Sequence, residues 1–158
     1  NINEFRLLNE RSAVIMQIKQ LSVFVENKSG RLAEITETLA KANVDIRAIS
    51  IADTSDFGIL RLIVDRPEAA VEALRQENMT VSLTTVIAIG ITDQPGEFAK
   101  AMRVLANANV GIEYMYAFIS RDQNKAYVLL RVDDNEHAVE CLQSSGIEIL
   151  TAEEIHGM

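Results

Sequence analysis

Leu21, Val23 and Val25 recur at every second position, the spacing of a strand with one buried face. The period then changes. Leu32, Ile35, Leu39 and Ala42 follow helical spacing, and Glu34, Glu37, Thr38 and Lys41 fill the opposite side. Asn43 closes that helix, because asparagine tolerates the left-handed backbone that ends many helices. Residues 44–51 and 59–64 return to strand, joined as a hairpin through a polar cluster at 53–58. Pro67 opens a second helix where its missing N–H costs least, with Ala70, Val71 and Leu74 as the buried stripe. Residues 79–83 read as a fourth strand. The predicted order is βαββαβ.

The same pattern then starts again. Ile87, Ile89 and Ile91 stand 66 residues after Leu21, Val23 and Val25. At that offset Phe98, Ala101, Leu105 and Ala108 follow Leu32, Ile35, Leu39 and Ala42, and Asn109 follows Asn43. Beyond the second hairpin the offset is 68: Val128, Leu130 and Val132 match Leu60, Leu62 and Val64. The two additional residues fall in the turn at 121–124, where insertion is tolerated. Residues 147–155 supply the last strand. A pattern that shifts only at a turn marks a duplication. The predicted fold is α+β: two ferredoxin-like βαββαβ units, each an antiparallel sheet with helices on one face. The boundaries read 1–17 for a non-core N-terminal extension, 18–83 for the first unit and 84–158 for the second. Met16 looks like a natural beginning, so the residues before it read as an upstream extension, in which Phe5, Leu7 and Leu8 dock as a short helix or strand. Units of about 65 residues have marginal cores alone, so the copies are expected to bury surface against one another.

Two stretches mark the centre of each copy. Val25-Glu26-Asn27-Lys28-Ser29-Gly30-Arg31-Leu32 and Ile91-Thr92-Asp93-Gln94-Pro95-Gly96-Glu97-Phe98 each end a strand, turn at a glycine and start a helix. A helix start offers unpaired N–H groups, which suit a small anion or an amino-acid carboxylate. A glycine there is also a common conformational device, and Asp93 reads equally as a helix cap or a ligand contact. Arg31 reads as a solvated helix residue, and Met102 and Met115 as core.

Composition narrows the function. With 15 basic and 23 acidic residues the net charge is −8, a poor match to a phosphate backbone, so no nucleic-acid partner is expected. The third strands carry one tyrosine between them, too few aromatics for base stacking. The single Cys141, beside an apolar helical stripe, reads as buried; with His137 and His156 scattered, no metal site is expected. No nucleophile motif, no lysine-bearing phosphate loop and no cofactor motif is present, so an enzyme is not expected. No apolar run approaches the roughly 20 residues that span a bilayer. The chain reads as soluble and cytoplasmic, with no membrane partner.

The repeated unit resembles the ACT domain, a small βαββαβ module that senses amino acids in metabolic enzymes. The resemblance lies in residues 27–32 followed by Ile35, Leu39, Asn43, Val44 and Ile46. It recurs in residues 93–98 followed by Ala101, Leu105, Asn109, Val110 and Ile112. The second copy carries the family's acid–x–Pro–Gly; the first has Asn27 for the acid and Ser29 for the proline. The resemblance implies ligand binding where two such domains meet, with the turn on one side and a neighbour's second strand on the other. By position it implies Asn27, Ser29, Gly30, Arg31 and Leu32, and Asp93, Gln94, Pro95, Gly96, Glu97 and Phe98. The second-strand positions it implies are Ile49, Ser50 and Ile51, and Met115, Tyr116 and Ala117. Two functions are then expected: a non-catalytic regulator that binds a free amino acid at domain or subunit interfaces, or a ligand-free interaction module serving as regulatory subunit of a separately encoded metabolic enzyme. A homodimer is expected where the paired units leave a sheet edge or face uncovered.

Overall fold

The computed structural model describes residues 2–53, 56–119 and 122–158; the predicted hairpin turns at 53–58 and 121–124 fall partly outside them. The chain separates into two compact units. One is Lys19–Thr84 with His156–Met158, the other Thr85–Ile155 with residues 1–18.

The N-terminal unit contains β1 (Ile18–Glu26), α2 (Arg31–Lys41), β2 (Ile46–Asp53), β3 (Phe57–Val64), α3 (Pro67–Gln76) and the first residues of β4 (Val81–Thr92). Its antiparallel sheet has the order β2-β3-β1-β4. The register sets Val23 opposite Leu60 and Leu21 opposite Leu62. These side chains meet Ile35 and Leu39 of α2 and Ala70 and Leu74 of α3 in one core. Pro67 opens α3, and Asn43 and Asn78 follow their helices at φ 55° and 58°, the left-handed geometry read from asparagine.

The second unit repeats this with the rest of β4, α4 (Glu97–Asn107), β5 (Ile112–Ala117), β6 (Lys125–Val132), α5 (Asn135–Ser144) and β7 (Glu148–Ile149), in the order β5-β6-β4-β7. Its core joins Ile87, Ile89, Ala101, Leu105, Leu130 and Leu142. Duplication reaches single side-chain bonds. Asp65 Oδ1 accepts the Asp45 N–H at 2.9 Å, and Asp133 Oδ1 accepts the Gly111 N–H at 3.0 Å. Residues 2–15 form α1 (Ile2–Ile15), which packs on α5.

Several readings need correction. The fourth strand of the first copy begins at Val81 and runs without a break into the first strand of the second, as the one 12-residue strand β4. Asn78, at positive φ, delays its start. The last strand is only Glu148–Ile149, because Thr151 then caps the short helix α6 (Ala152–His156). The Thr151 hydroxyl accepts the Glu154 N–H at 3.2 Å, and Thr-x-x-Glu is the helix-start signature that an apolar count overlooks. Met115, read as core, is 40 % exposed, and Cys141 is only partly buried.

Candidate functional site

The two strand–turn–helix segments superimpose bond for bond. In the first, the Lys28 N–H reaches Glu26 O (2.8 Å), the Arg31 N–H reaches Lys28 O (3.3 Å) and the Glu34 N–H reaches Gly30 O (3.0 Å). In the second, Gln94 reaches Thr92 O (2.8 Å), Glu97 reaches Gln94 O (3.3 Å) and Lys100 reaches Gly96 O (3.1 Å). Each turn is tied to its own hairpin, by the Asn27 N–H on Asp56 O (3.1 Å) and the Asp93 N–H on Asn124 O (2.9 Å). Gly30 and Gly96 cap the helices at φ 90° and 88°, and neither helix has a side-chain cap. Asp93 is therefore no helix cap. The second and third N–H groups of each helix, on Leu32 and Ala33 and on Phe98 and Ala99, donate to no backbone carbonyl among the described residues. A Cβ built on either glycine meets nothing within 4 Å, so space lies open above both turns.

Side chains around the turns differ. Glu26 pairs with Lys28 Nζ at 3.0 Å and with Arg31 at 3.6 Å, and Arg31 also holds Glu34 at 2.9 Å. Lys28, then Arg31, holds the Glu26 carboxyl below its usual range, and Glu34, then Glu26, pushes the Arg31 guanidinium up. In the second copy the charges are reversed: Glu97 stands for Arg31 and Lys100 for Glu34, paired at 2.7 Å. Phe24 and Phe57, both exposed, stack at 4.9 Å beside the first turn. Their counterparts are Gly90 and Lys125, and Lys125 pairs with Glu148, which raises the lysine's pKa.

A cavity of about 190 Å³ beside the first turn is lined by Phe24, Glu26, Arg31, Ile35, Phe57 and Thr80 among others. The second copy has one of about 370 Å³, lined by Gly90, Thr92, Glu97, Lys100, Lys125 and Glu148 among others. Of the residues expected from sequence, Arg31 lines the first cavity and Glu97 the second. Asn27, Ser29, Gly30, Leu32, Asp93, Gln94, Pro95 and Gly96 are exposed on the turns, and Phe98 is half-buried. The second-strand positions are elsewhere: β3 separates β2 from β1, and β6 separates β5 from β4. Ile49 and Ile51, opposite Leu62 and Leu60, share the helix side of the sheet, as Met115 and Ala117 do opposite Leu130 and Val128. Ser50 and Tyr116 alternate to the other side. Sequence reading missed Lys100, Lys125 and Glu148; the offsets of 66 and 68 that mark the repeat also place them opposite Glu34, Phe57 and Thr80.

Two βαββαβ units with matching glycine-capped turns define a duplicated ferredoxin-like module. A model of the ACT domain pair matches residues 16–158, and the chain belongs to that family. Such a pair is generally a regulatory module rather than a catalytic one. Protein BT0572 from Bacteroides thetaiotaomicron is 40 % identical, with 90 % of this chain and 98 % of that chain covered and a TM-score of 0.85. The ligand-free regulatory subunit of aspartate kinase from Thermus thermophilus is similar in fold, at 16 % identity, 80 % and 91 % coverage and a TM-score of 0.59. The corresponding subunit from Thermus flavus gives 16 % identity, 81 % and 92 % coverage and a TM-score of 0.57. A comparison with curated proteins gives no match.

Proposed function

We propose that this chain is a non-catalytic regulatory protein that binds a free amino acid at its glycine-capped turns. The observation that carries the reading is the second turn. Gly96 holds a left-handed φ of 88°, leaves the start of α4 without a side-chain cap and opens onto empty space. An amino-acid zwitterion needs donors for its carboxylate and an acceptor for its ammonium. The Phe98 and Ala99 N–H groups at the positive end of the helix dipole supply the first. The Asp93 carboxylate supplies the second. Lys100, Lys125, Glu97 and Glu148 line the neighbouring cavity and give polar anchors of both signs. The first turn repeats the backbone with Asn27 in place of the acid, so it is the weaker site. The fold likeness to a kinase regulatory subunit supports regulation exerted on a separately encoded enzyme.

Calorimetric titration with the twenty amino acids tests this reading. At least one binds and raises the melting temperature, as a ligand selective for the folded state must. Gly96→Val, whose side chain would enter the open space at a strained φ, abolishes binding at the second turn. A chain that binds none of them is the ligand-free interaction module instead.

A further inference from the structure

Phe24 and Glu26 alternate with the core residues Val23 and Val25 along β1, so they stand on the other face of the sheet. Phe57, the first residue of β3, lies opposite Glu26 and shares that face. The hairpin turn expected at 53–58 contains Phe57, so a count of strand aromatics passes over it. β1 and β3 are the two central strands of this unit, and each brings one exposed ring. Modules of this topology that stack unpaired bases do so on aromatics of their sheet. The rings stack at 4.9 Å with 30° between their planes and are 52 % and 42 % exposed, so a third planar ring can extend the stack.

The polar wall beside the rings is equally specific. Glu26 and Arg31, 3.6 Å apart, line the same cavity of about 190 Å³, together with Asn78 and Thr80. Lys28, then Arg31, keeps Glu26 ionised; a carboxylate only accepts hydrogen bonds and a guanidinium only donates them. An acceptor beside a donor matches the edge of a nucleobase, where an amino group adjoins an accepting ring nitrogen. We propose that Phe24, Phe57, Glu26 and Arg31 form a site for the base of a free nucleoside. The base lies against the rings, its amino group donates to Glu26 and its ring nitrogen accepts from Arg31. Glu34 holds Arg31, Glu77 lines the cavity and the chain carries −8 overall, so an RNA strand is repelled and a neutral nucleoside is not. The second copy does not repeat the site: Gly90 and Lys125 replace the rings, and Glu97 replaces Arg31. One nucleoside therefore binds per chain. The proposal uses side chains of the first copy and not the second turn, so it stands apart from amino-acid binding.

The chain has no tryptophan, so Phe24→Trp places a single reporter in the stack of the full chain. Adenosine quenches its fluorescence and saturates at one per chain; ribose does not quench it. Calorimetric titration of wild type with adenosine shows the same single site, so the result does not hang on the reporter. Phe57→Ala weakens adenosine binding about five- to a hundredfold, and Phe57→Tyr retains it. Purine riboside, which is adenosine without its amino group, binds more weakly than adenosine, and Glu26→Ala abolishes the difference. An RNA oligomer of adenylate binds no more tightly than adenosine. Silence of both probes towards adenosine, undiminished affinity in a folded Phe57→Ala chain, equal binding of adenosine and purine riboside to wild type, or tighter binding of the RNA overturns the proposal.

Discussion

The first and second turns share one backbone and carry opposite surfaces. Around Gly30 the chain places a positive residue at the first helical position and two phenylalanine rings on the adjoining strands. Around Gly96 it places a glutamate at that position, with Gly90 and Lys125 where the rings were and Lys125 paired to Glu148. Duplication therefore preserved what the fold requires: the left-handed glycine, the asparagine stop and the apolar stripe. It released what the fold does not require. The difference separates scaffold from surface, since the same backbone turn presents different side chains in the two copies.

The core is where the copies should behave alike, and there the effect is largest. Leu39 is 1 % exposed and Leu105 fully buried, and both pack at the same helical position. Leu39→Ala and Leu105→Ala each lower stability by about 2–5 kcal/mol, measured by urea unfolding. A tolerant site in one copy would break the equivalence. Gly30→Val and Gly96→Val come next, at about 1–2 kcal/mol each, because the cost is the left-handed backbone alone and both sites are open. Unequal costs would mean that one turn relaxes.

The surfaces should then diverge. A double-mutant cycle on Phe24 and Phe57 gives a coupling of about 0.5–1.5 kcal/mol that is insensitive to salt. The matching cycle on Lys125 and Glu148, an exposed ion pair, gives a smaller coupling that fades in 1 M salt. The smallest effects are in the pH dependence, and they have opposite signs. Lys28 and Arg31 depress the Glu26 pKa, so its contribution is present above the unfolded value of about 4.3 and lost as pH falls through the folded one. Glu148 raises the Lys125 pKa, so its contribution is complete below about 10.4 and lost as pH rises through the folded value. NMR titration of the two side chains reads both.

Much of this was legible in the chain. Period-two and helical spacing gave the elements, and a repeat with its shift confined to a turn gave the architecture, because buried faces dictate periodicity. Asn43 and Asn109 announced their helix ends, since few other residues adopt φ near 55°. The fusion of two strands into β4 was not legible, because periodicity does not say where one strand stops and a collinear one starts. The Thr151 cap was legible but outweighed by the isoleucines around it. At the site, glycine spacing located both turns. The lysines and glutamate of the larger cavity come from three separate elements, and only the tertiary fold gathers them. Likewise, alternation along β2 could separate Ser50 from its isoleucine neighbours, but only the strand order made that strand an edge.

Isothermal titration of wild type and Gly96→Val with each free amino acid probes the central claim most directly. The account predicts heat from at least one amino acid with wild type, and loss of the tighter site in the variant while its far-ultraviolet spectrum stays native. Silence from all twenty against a folded wild-type chain, or undiminished binding in the variant, would contradict it.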